Sequence, residues 1–411
     1  MRLVLLSNLY PNPEEPFRAT YNRRLIKAIA KQIGKASISV IGTIYWCPLV
    51  DSLLRKRKKP PKKTQLDGIS VSHPRMFYTP GFLIHKHHFF YRFALRRTLQ
   101  KISKTSGNPP HIIIAFVYPD AVAMAPICRE LGLSYSVMVL GSDFRVRLKQ
   151  PRFRSMVMNC LEEASTIFCP GKALKHDMVA KGISPDKIIP FDNGVEHEIF
   201  QFRNKTTESA KLVHEELELG EAPVLNILFV GNLLDVKAPQ RLIRAFKFLL
   251  QSKQPDQITD NSKSSIHLNI VGDGPLRPNL MKLTTDLGIA EQVTFHGRKT
   301  PECIAEMMQS ANCLCLCSRS EGMPNVVVEA LACGCPVVAT SVGEVPYLIE
   351  EGINGYLVEI HNLSEEAITD DLTHKLDQAL IKPWDRELIS SRMTNYSWET
   401  AATKILDAVG N

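Results

Sequence analysis

Apolar residues come along this chain in short runs, separated by stretches in which they recur every three or four positions. The runs fall at residues 3–6, 37–41, 69–72, 112–117, 135–140, 166–169 and 188–191, and then at 226–230, 267–271, 293–296, 313–317, 337–340 and 356–358. Each has the length and composition of a buried strand. Between the first two, Leu25, Ile26, Ile29, Ala30 and Ile33 keep helical spacing. Strand and helix in alternation predict βαβ crossovers and a mostly parallel sheet covered on both faces. The design occurs twice, so the expectation is two doubly wound α/β domains, at 1–195 and 223–387. The charged stretch 196–222 between them has no apolar period and reads as a linker. A polar insert at 252–265 reads as a loop tip, and the final segment, about 388–411, as a helix anchored by Trp398.

The segment 318–340 carries the strongest chemical signal. Glu321 and Glu329 stand on either side of a loop that turns into a helix, and Gly334, Pro336 and another strand follow. Pro324 suits a first helical position, where its missing N–H goes unneeded. The amide groups of Asn325 and Val326, beside Gly322 and Met323, would then face outward at the positive end of a helix dipole, where an anion such as phosphate binds. Glu321 would reach a group beyond that phosphate and Glu329 one behind it. A nucleotide-diphosphate sugar has this layout, with sugar hydroxyls at one end and ribose hydroxyls at the other. A pair of glutamates at this spacing also occurs as ordinary solvated surface.

Composition narrows the class. A length of 411 residues suits two domains, and 44% apolar with 22% charged residues excludes a disordered chain. The opening Met1–Asn8 reads as a strand, too short for a signal peptide, and the longest apolar stretch, near 112–127, is broken by Pro119 and Asp120. The expectation is a cytoplasmic protein, with binding to the inner face of the cytoplasmic membrane left open. Among ten cysteines, Cys313, Cys315 and Cys317 alternate with leucines, as do small buried residues of a strand, and C-x-C is not the spacing of a zinc site. The net charge of +8 is concentrated in the run Arg55–Lys63 and in the aromatic and basic stretch His85–Arg97. These are solvated surface or a contact for an anionic membrane; no nucleic-acid motif accompanies them.

Other candidates lie at strand ends. Gly231 allows close backbone approach after the strand 226–230, and Lys237, six residues on, can reach an anion or simply be solvated. Gly272 opens Val-Gly-Asp-Gly-Pro at 271–275, an incomplete G-x-G pattern. Gly141-Ser142-Asp143 closes a first-half strand, where Asp143 is either a catalytic carboxylate or a helix N-cap. In doubly wound sheets ligands bind at the carboxyl ends of the strands, and the gap separating the two domains is the expected site.

Taken in order, these motifs resemble the retaining GT-B glycosyltransferases of family 4, the group 1 type. The resemblance is strongest from Val230 to Val358: Gly-x-Leu…Lys237, Val-Gly-Asp-Gly-Pro, Phe-x-Gly at 295–297, Ser-x-x-Glu-Gly-x-Pro-Asn at 318–325, and Glu-Ala-x-Ala-x-Gly-x-Pro-Val-Val at 329–338. It extends to Asn-Gly-Val-Glu at 193–196 and Tyr-Ser-Trp-Glu at 396–399. It implies two Rossmann-like domains facing across a cleft, with the last helix crossing back to the first domain. It implies that Glu321 contacts the donor sugar, Glu329 the ribose, Lys237 and Asn232 the diphosphate, and the turn at His296, Gly297 and Arg298 the base. Transfer to a glycan or lipid-linked acceptor would keep the anomeric configuration and need no metal or other cofactor. Such a reaction belongs to cell-surface polysaccharide or glycolipid synthesis.

Three positions depart from the family pattern. Asn232 stands where arginine is frequent, so Lys237 carries more of the leaving-group charge. Leu140 stands where many members have histidine, which leaves Asp143 as the substitute. The first-domain loop 15–21 has no glycine, and Arg18 is its candidate phosphate contact. Two rivals share the architecture: a nucleotide-sugar epimerase, and a degenerate homologue that only binds nucleotide-sugar. The absence of a full G-x-G-x-x-G after the first strand of either half argues against a nicotinamide oxidoreductase.

Overall fold

The structure is a computed structural model and describes residues 1–12, 15, 19–47, 50–51, 61–79, 84–104, 109–203, 224–252 and 265–410. Arg18, most of the basic run 55–63, the linker beyond residue 203 and the insert 253–264 lie outside the described residues. The chain divides into two compact units, Met1–Gly194 together with Trp398–Asn411, and Val195–Ser397.

In the first unit the strands are β1 (Leu3–Ser7), β2 (Ile38–Gly42), β3 (Ile44–Tyr45), β4 (Lys63–Leu66), β5 (Ile69–Ser72), β6 (Arg75–Met76), β7 (His111–Ile114), β8 (Tyr135–Met138), β9 (Thr166–Pro170) and β10 (Ile188–Phe191). The main sheet runs β10-β9-β8-β7-β1-β2-β5-β4. It is parallel except for β4, which pairs antiparallel with β5. Successive residues of each central strand point to opposite faces, and each face has its own core. Val4, Leu6, Ile112, Ile114 and Val137 face the helices that carry Tyr91, Leu95, Leu99 and Phe153. Leu3, Leu5, Val40 and Ile113 face Leu25, Ile26 and Ile29 of the helix Thr20–Ile33 and Trp398, Ala401, Ala402 and Ile405 of the last helix.

The second unit holds β11 (Leu225–Val230), β12 (Ile266–Val271), β13 (Val293–Gly297), β14 (Cys313–Leu316), β15 (Val337–Thr340) and β16 (Gly355–Val358). All are parallel, in the order β13-β12-β11-β14-β15-β16. Cys313, Cys315 and Cys317 lie in the core on one face, with Ile227, Phe229 and the helices Pro239–Ser252 and Glu365–Ile381. Leu314 and Leu316 lie in the other, with the helices Pro301–Ser310 and Asn325–Ala332. The outward order reverses between β11 and β14, the switch point at which doubly wound sheets bind ligands.

Several expected boundaries are corrected. The strands expected at 112–117 and 135–140 end at Ile114 and Met138. One carboxylate accounts for both endings. Asp143 Oδ2 accepts the Val117 N–H at 3.0 Å and Oδ1 accepts the Leu140 N–H at 2.9 Å, so neither amide is available to a neighbouring strand. The closing helix expected over about 388–411 is two helices, Arg386–Ser391 in the second unit and Trp398–Gly410 in the first. Pro324 is the N-cap, with an extended backbone, and the helix starts at Asn325. Each proline restricts the residue before it and donates nothing, so it stands before the first turn as readily as in it.

Candidate active site

The second unit's switch point is built by two loops, one following β11 and one following β14. The β11 loop passes through a single turn, Asp235–Lys237, in which the Lys237 N–H bonds the Leu234 carbonyl at 3.0 Å. Ala238 then takes a left-handed backbone (φ 46°) while fully buried, a conformation that side chains adopt at a penalty. The β14 loop is pinned beside it: the Arg319 N–H reaches the Val236 carbonyl at 2.8 Å, and the Cys317 thiol donates to the Ala238 carbonyl at 3.2 Å.

This pinning brings Lys237 and Glu321 together. Lys237 Nζ lies 2.6 Å from Glu321 Oε1, and the Ser318 hydroxyl donates to the same oxygen at 2.6 Å. The Glu321 side chain is only 9% exposed and that of Lys237 25%. Such charge-assisted bonds in partial burial fix the carboxylate's position. Ser318 is itself buried, and Thr340, at the end of β15, donates to the Ser318 carbonyl at 2.7 Å. Behind Glu321, the Glu344 N–H bonds the Gly322 carbonyl at 3.0 Å. Gly343 (φ +58°) lies so close that a Cβ there would meet the Glu321 carbonyl oxygen at 2.4 Å.

Farther along the sheet edge, Gly231, Gly272 and Gly297 stack at the ends of β11, β12 and β13. The Gly231 N–H bonds the Val271 carbonyl at 3.0 Å, and the Gly272 N–H bonds the Gly297 carbonyl at 2.8 Å. Gly272 has φ +132°, and a Cβ on it would lie 1.9 Å from the Gly231 carbonyl oxygen. Only glycine fits this crossing. Of the other expected donor contacts, Asn325 and Val326 open the helix and are half-buried, and Glu329 is half-buried in its second turn. Met323 is buried in the core, and Asn232 and Arg298 are exposed. His296 turns its ring to the sheet, Nε2 lying 2.8 Å from Asn269 Oδ1; burial first, then Lys299 and His267, hold its pKa below the ordinary histidine value.

The loops also depend on residues whose part the sequence does not announce. Arg241, 3% exposed, donates to the Cys317 carbonyl at 3.0 Å and to both Glu365 oxygens at 2.9 and 3.1 Å. Arg319 joins the same carboxylate at 2.5 Å. The Arg241 hydrogen bond holds the Glu365 carboxyl below the usual range. The only sequence signal is an arginine among the apolar positions of the helix Pro239–Ser252.

The first unit has a polar cluster at its own switch point. Asp120, fully buried, accepts from the Asn8 N–H at 2.8 Å and the Asn8 side chain at 3.2 Å. Tyr91 and Thr43 close the cluster with a 2.5 Å hydroxyl–hydroxyl bond. Burial raises Asp120 to about 7 and Asp143 to about 6, against the bonds that each accepts. Asp143, expected as a catalytic carboxylate, has both oxygens engaged by backbone amides, as described above. Nor is it an N-cap: it lies in the first turn of the helix Ser142–Leu148, whose N-cap is Gly141.

Residues 220–387 match the family model of glycosyl transferases group 1. D-inositol 3-phosphate glycosyltransferase of Streptomyces griseus is 29% identical over 260 residues, which take in 61% of this chain and 52% of that protein. The chain thus spans about half the length of that relative. N-acetyl-alpha-D-glucosaminyl L-malate synthase of Bacillus anthracis is 26% identical over 303 residues, covering 72% of this chain and 71% of that one. Among solved structures, Anabaena Alr3699/HepE in complex with UDP aligns over 100% of both chains with a TM-score of 0.69 at 16% identity. That last likeness is one of fold, and the fold is GT-B: two Rossmann-like α/β units with parallel sheets. On that architecture, residues 220–387 are the part of the chain that is similar to the group 1 glycosyl transferases.

Proposed function

We propose that the protein is a retaining, metal-independent glycosyltransferase of family 4, moving a hexosyl unit from a nucleotide-diphosphate sugar to a saccharide or lipid-linked acceptor. The observation that carries this reading is the Lys237–Glu321 pair, 2.6 Å apart at the second unit's switch point and beside the start of the helix Asn325–Ala332. A diphosphate at that helix end would meet a positive dipole and the Lys237 ammonium, two sources of stabilisation for the charge that develops as it departs. Glu321, held by Ser318 and Lys237, would accept hydrogen bonds from donor-sugar hydroxyls, and Glu329 from the ribose.

In the step itself, the bond from the anomeric carbon to the diphosphate oxygen breaks and a bond to the acceptor oxygen forms on the same face. The departing phosphate oxygen takes the acceptor's proton, so the protein supplies no separate base. Asp143 has a positioning part in this reading, because its two oxygens are spent on the Val117 and Leu140 amides.

The test is Glu321→Ala, assayed with UDP-, GDP- and ADP-sugars whose bases are first ranked by thermal shift. The variant should bind the preferred nucleoside diphosphate as the parent does and lose transfer. Unchanged turnover would remove Glu321 from the reaction, and sugar release that needs no acceptor would favour the epimerase.

A further inference from the structure

The helix His87–Lys104 of the first unit has two unlike sides. Tyr91, Leu95 and Leu99 point into the core and are fully buried. Opposite them, Phe89 and Phe93 stand one turn apart, 58% and 80% exposed. At helical spacing, Arg97 and Lys104 continue the same outward ridge, and Arg92, Arg96 and Lys101 flank it. The helix contains no acidic residue. Among the described residues, Arg96 pairs with Glu130 on the neighbouring helix. Beside the ridge, Ile84 (43%) and Phe77 (44%) are also exposed, Phe77 in edge contact with Phe90 at 5.3 Å.

Large apolar side chains projecting singly from a surface are ordinary, but here Phe89 and Phe93 project from one side of a helix whose charged residues are all cations, with Phe77 packed on the same helix at Phe90. We propose that this face of the helix docks on an anionic lipid bilayer, with Phe89 and Phe93 entering the acyl boundary and the cations meeting headgroup phosphates. The pattern is that of a helix lying in the interface plane: aromatic side chains on one pole, arginine and lysine at the same level, no carboxylate on the helix itself, and the neighbouring Glu130 neutralised by Arg96. Ile84 separates this reading from a nucleic-acid contact, since a branched aliphatic side chain offers no ring for a base to stack on. Docking is independent of the transfer reading, because it is measured without turnover.

The experiment is co-sedimentation of the full chain with vesicles of phosphatidylcholine alone and of phosphatidylcholine mixed with phosphatidylglycerol. Binding to the mixed vesicles alone is expected, and added salt should weaken it. Phe93→Ser should reduce the partition coefficient about tenfold, from the apolar area that no longer enters the boundary. Arg97→Glu should reduce it by at least about fivefold, the effect of one cation near an anionic surface. Both positions are exposed, and a circular-dichroism melt verifies that each variant is folded. Equal binding to both vesicle types, no binding, or variants that bind as the parent does would overturn the proposal. So would a single-stranded oligonucleotide that binds in place of vesicles, or a dimer that Phe93→Ser dissociates.

Discussion

Replacing Gly272 by alanine tests whether the backbone crossing at the ends of β11 and β12 is as tight as described. The added Cβ would sit 1.9 Å from the Gly231 carbonyl oxygen and 2.8 Å from its carbon. A carbon–oxygen contact normally settles near 3.3 Å, so the strand ends must part by roughly 1.4 Å. Two backbone bonds meet at this crossing, Gly231 to Val271 and Gly272 to Gly297, and loosening them costs about 1 kcal/mol each. The φ of +132° adds roughly 1–3 kcal/mol for a residue with a side chain. The sum is about 4 kcal/mol, which for a unit of this size lowers its melting temperature by roughly 8–16 °C. Gly288→Ala is the control: it too has a positive φ (+66°), but its Cβ would meet nothing within 4 Å. That variant carries only the left-handed penalty of about 1 kcal/mol, roughly 2–4 °C. Thermal melts of the two variants beside the parent decide the matter. Equal losses would mean that the crossing gives way easily, and the account of Gly272 would be wrong.

Lys237→Met and Glu321→Gln, alone and combined in a double-mutant cycle read by urea denaturation, should show a coupling of about 2 kcal/mol; a value near zero would leave the pair without mutual stabilisation. Arg241→Lys keeps the charge but loses the fork that spans Cys317 and Glu365. Because Glu365 is half-exposed and can be rehydrated, the expected loss is about 1–3 kcal/mol by the same assay, and an unchanged midpoint would refute it. Asp120 and Asp143 have raised pKa values, about 7 and about 6, so the folded first unit holds protons that the unfolded chain releases. Its stability should therefore fall as pH rises from about 4 to 7. Asp120→Asn should flatten that slope in melts taken across the range, and an unaltered slope would show that Asp120 is not its source.

What was legible in the sequence was what repeats. Strands 69–72, 188–191 and 337–340 fall where their apolar residues predict: 337–340 is an apolar run buried throughout, and 69–72 buries Ile69 and Val71 in strict alternation with its serines. The edge strand β4, Lys-Thr-Gln-Leu, was missed, since alternate side chains face water and only Leu66 is apolar. The end of β7 was missed for a different reason: its terminator, Asp143, lies 26 residues along the chain from Val117. Lys237 and Glu321 could be named from their motifs, but 84 residues separate them and no local pattern reports a 2.6 Å contact. Gly343 and Arg241 are invisible for the same reason, as each matters through a partner that only the folded sheet brings near, whereas Ser318 stands in the motif three residues from the Glu321 it holds.

Because the helix Trp398–Gly410 belongs with the first unit, the order of synthesis and the order of completion run opposite ways. A ribosome that has released residues 1–194 has made the whole of that unit's sheet and every described helix of it but the last, yet the place that receives Trp398, Ala401, Ala402 and Ile405 is still empty. Residues 195–397 carry their whole core with them and can close first. The earlier-made unit must wait, with its helix Thr20–Ile33 packed on the sheet but not yet flanked by the last helix, for a segment translated about two hundred residues later. A nascent chain stalled just before Trp398 therefore has a complete second unit beside a first unit still lacking its last helix.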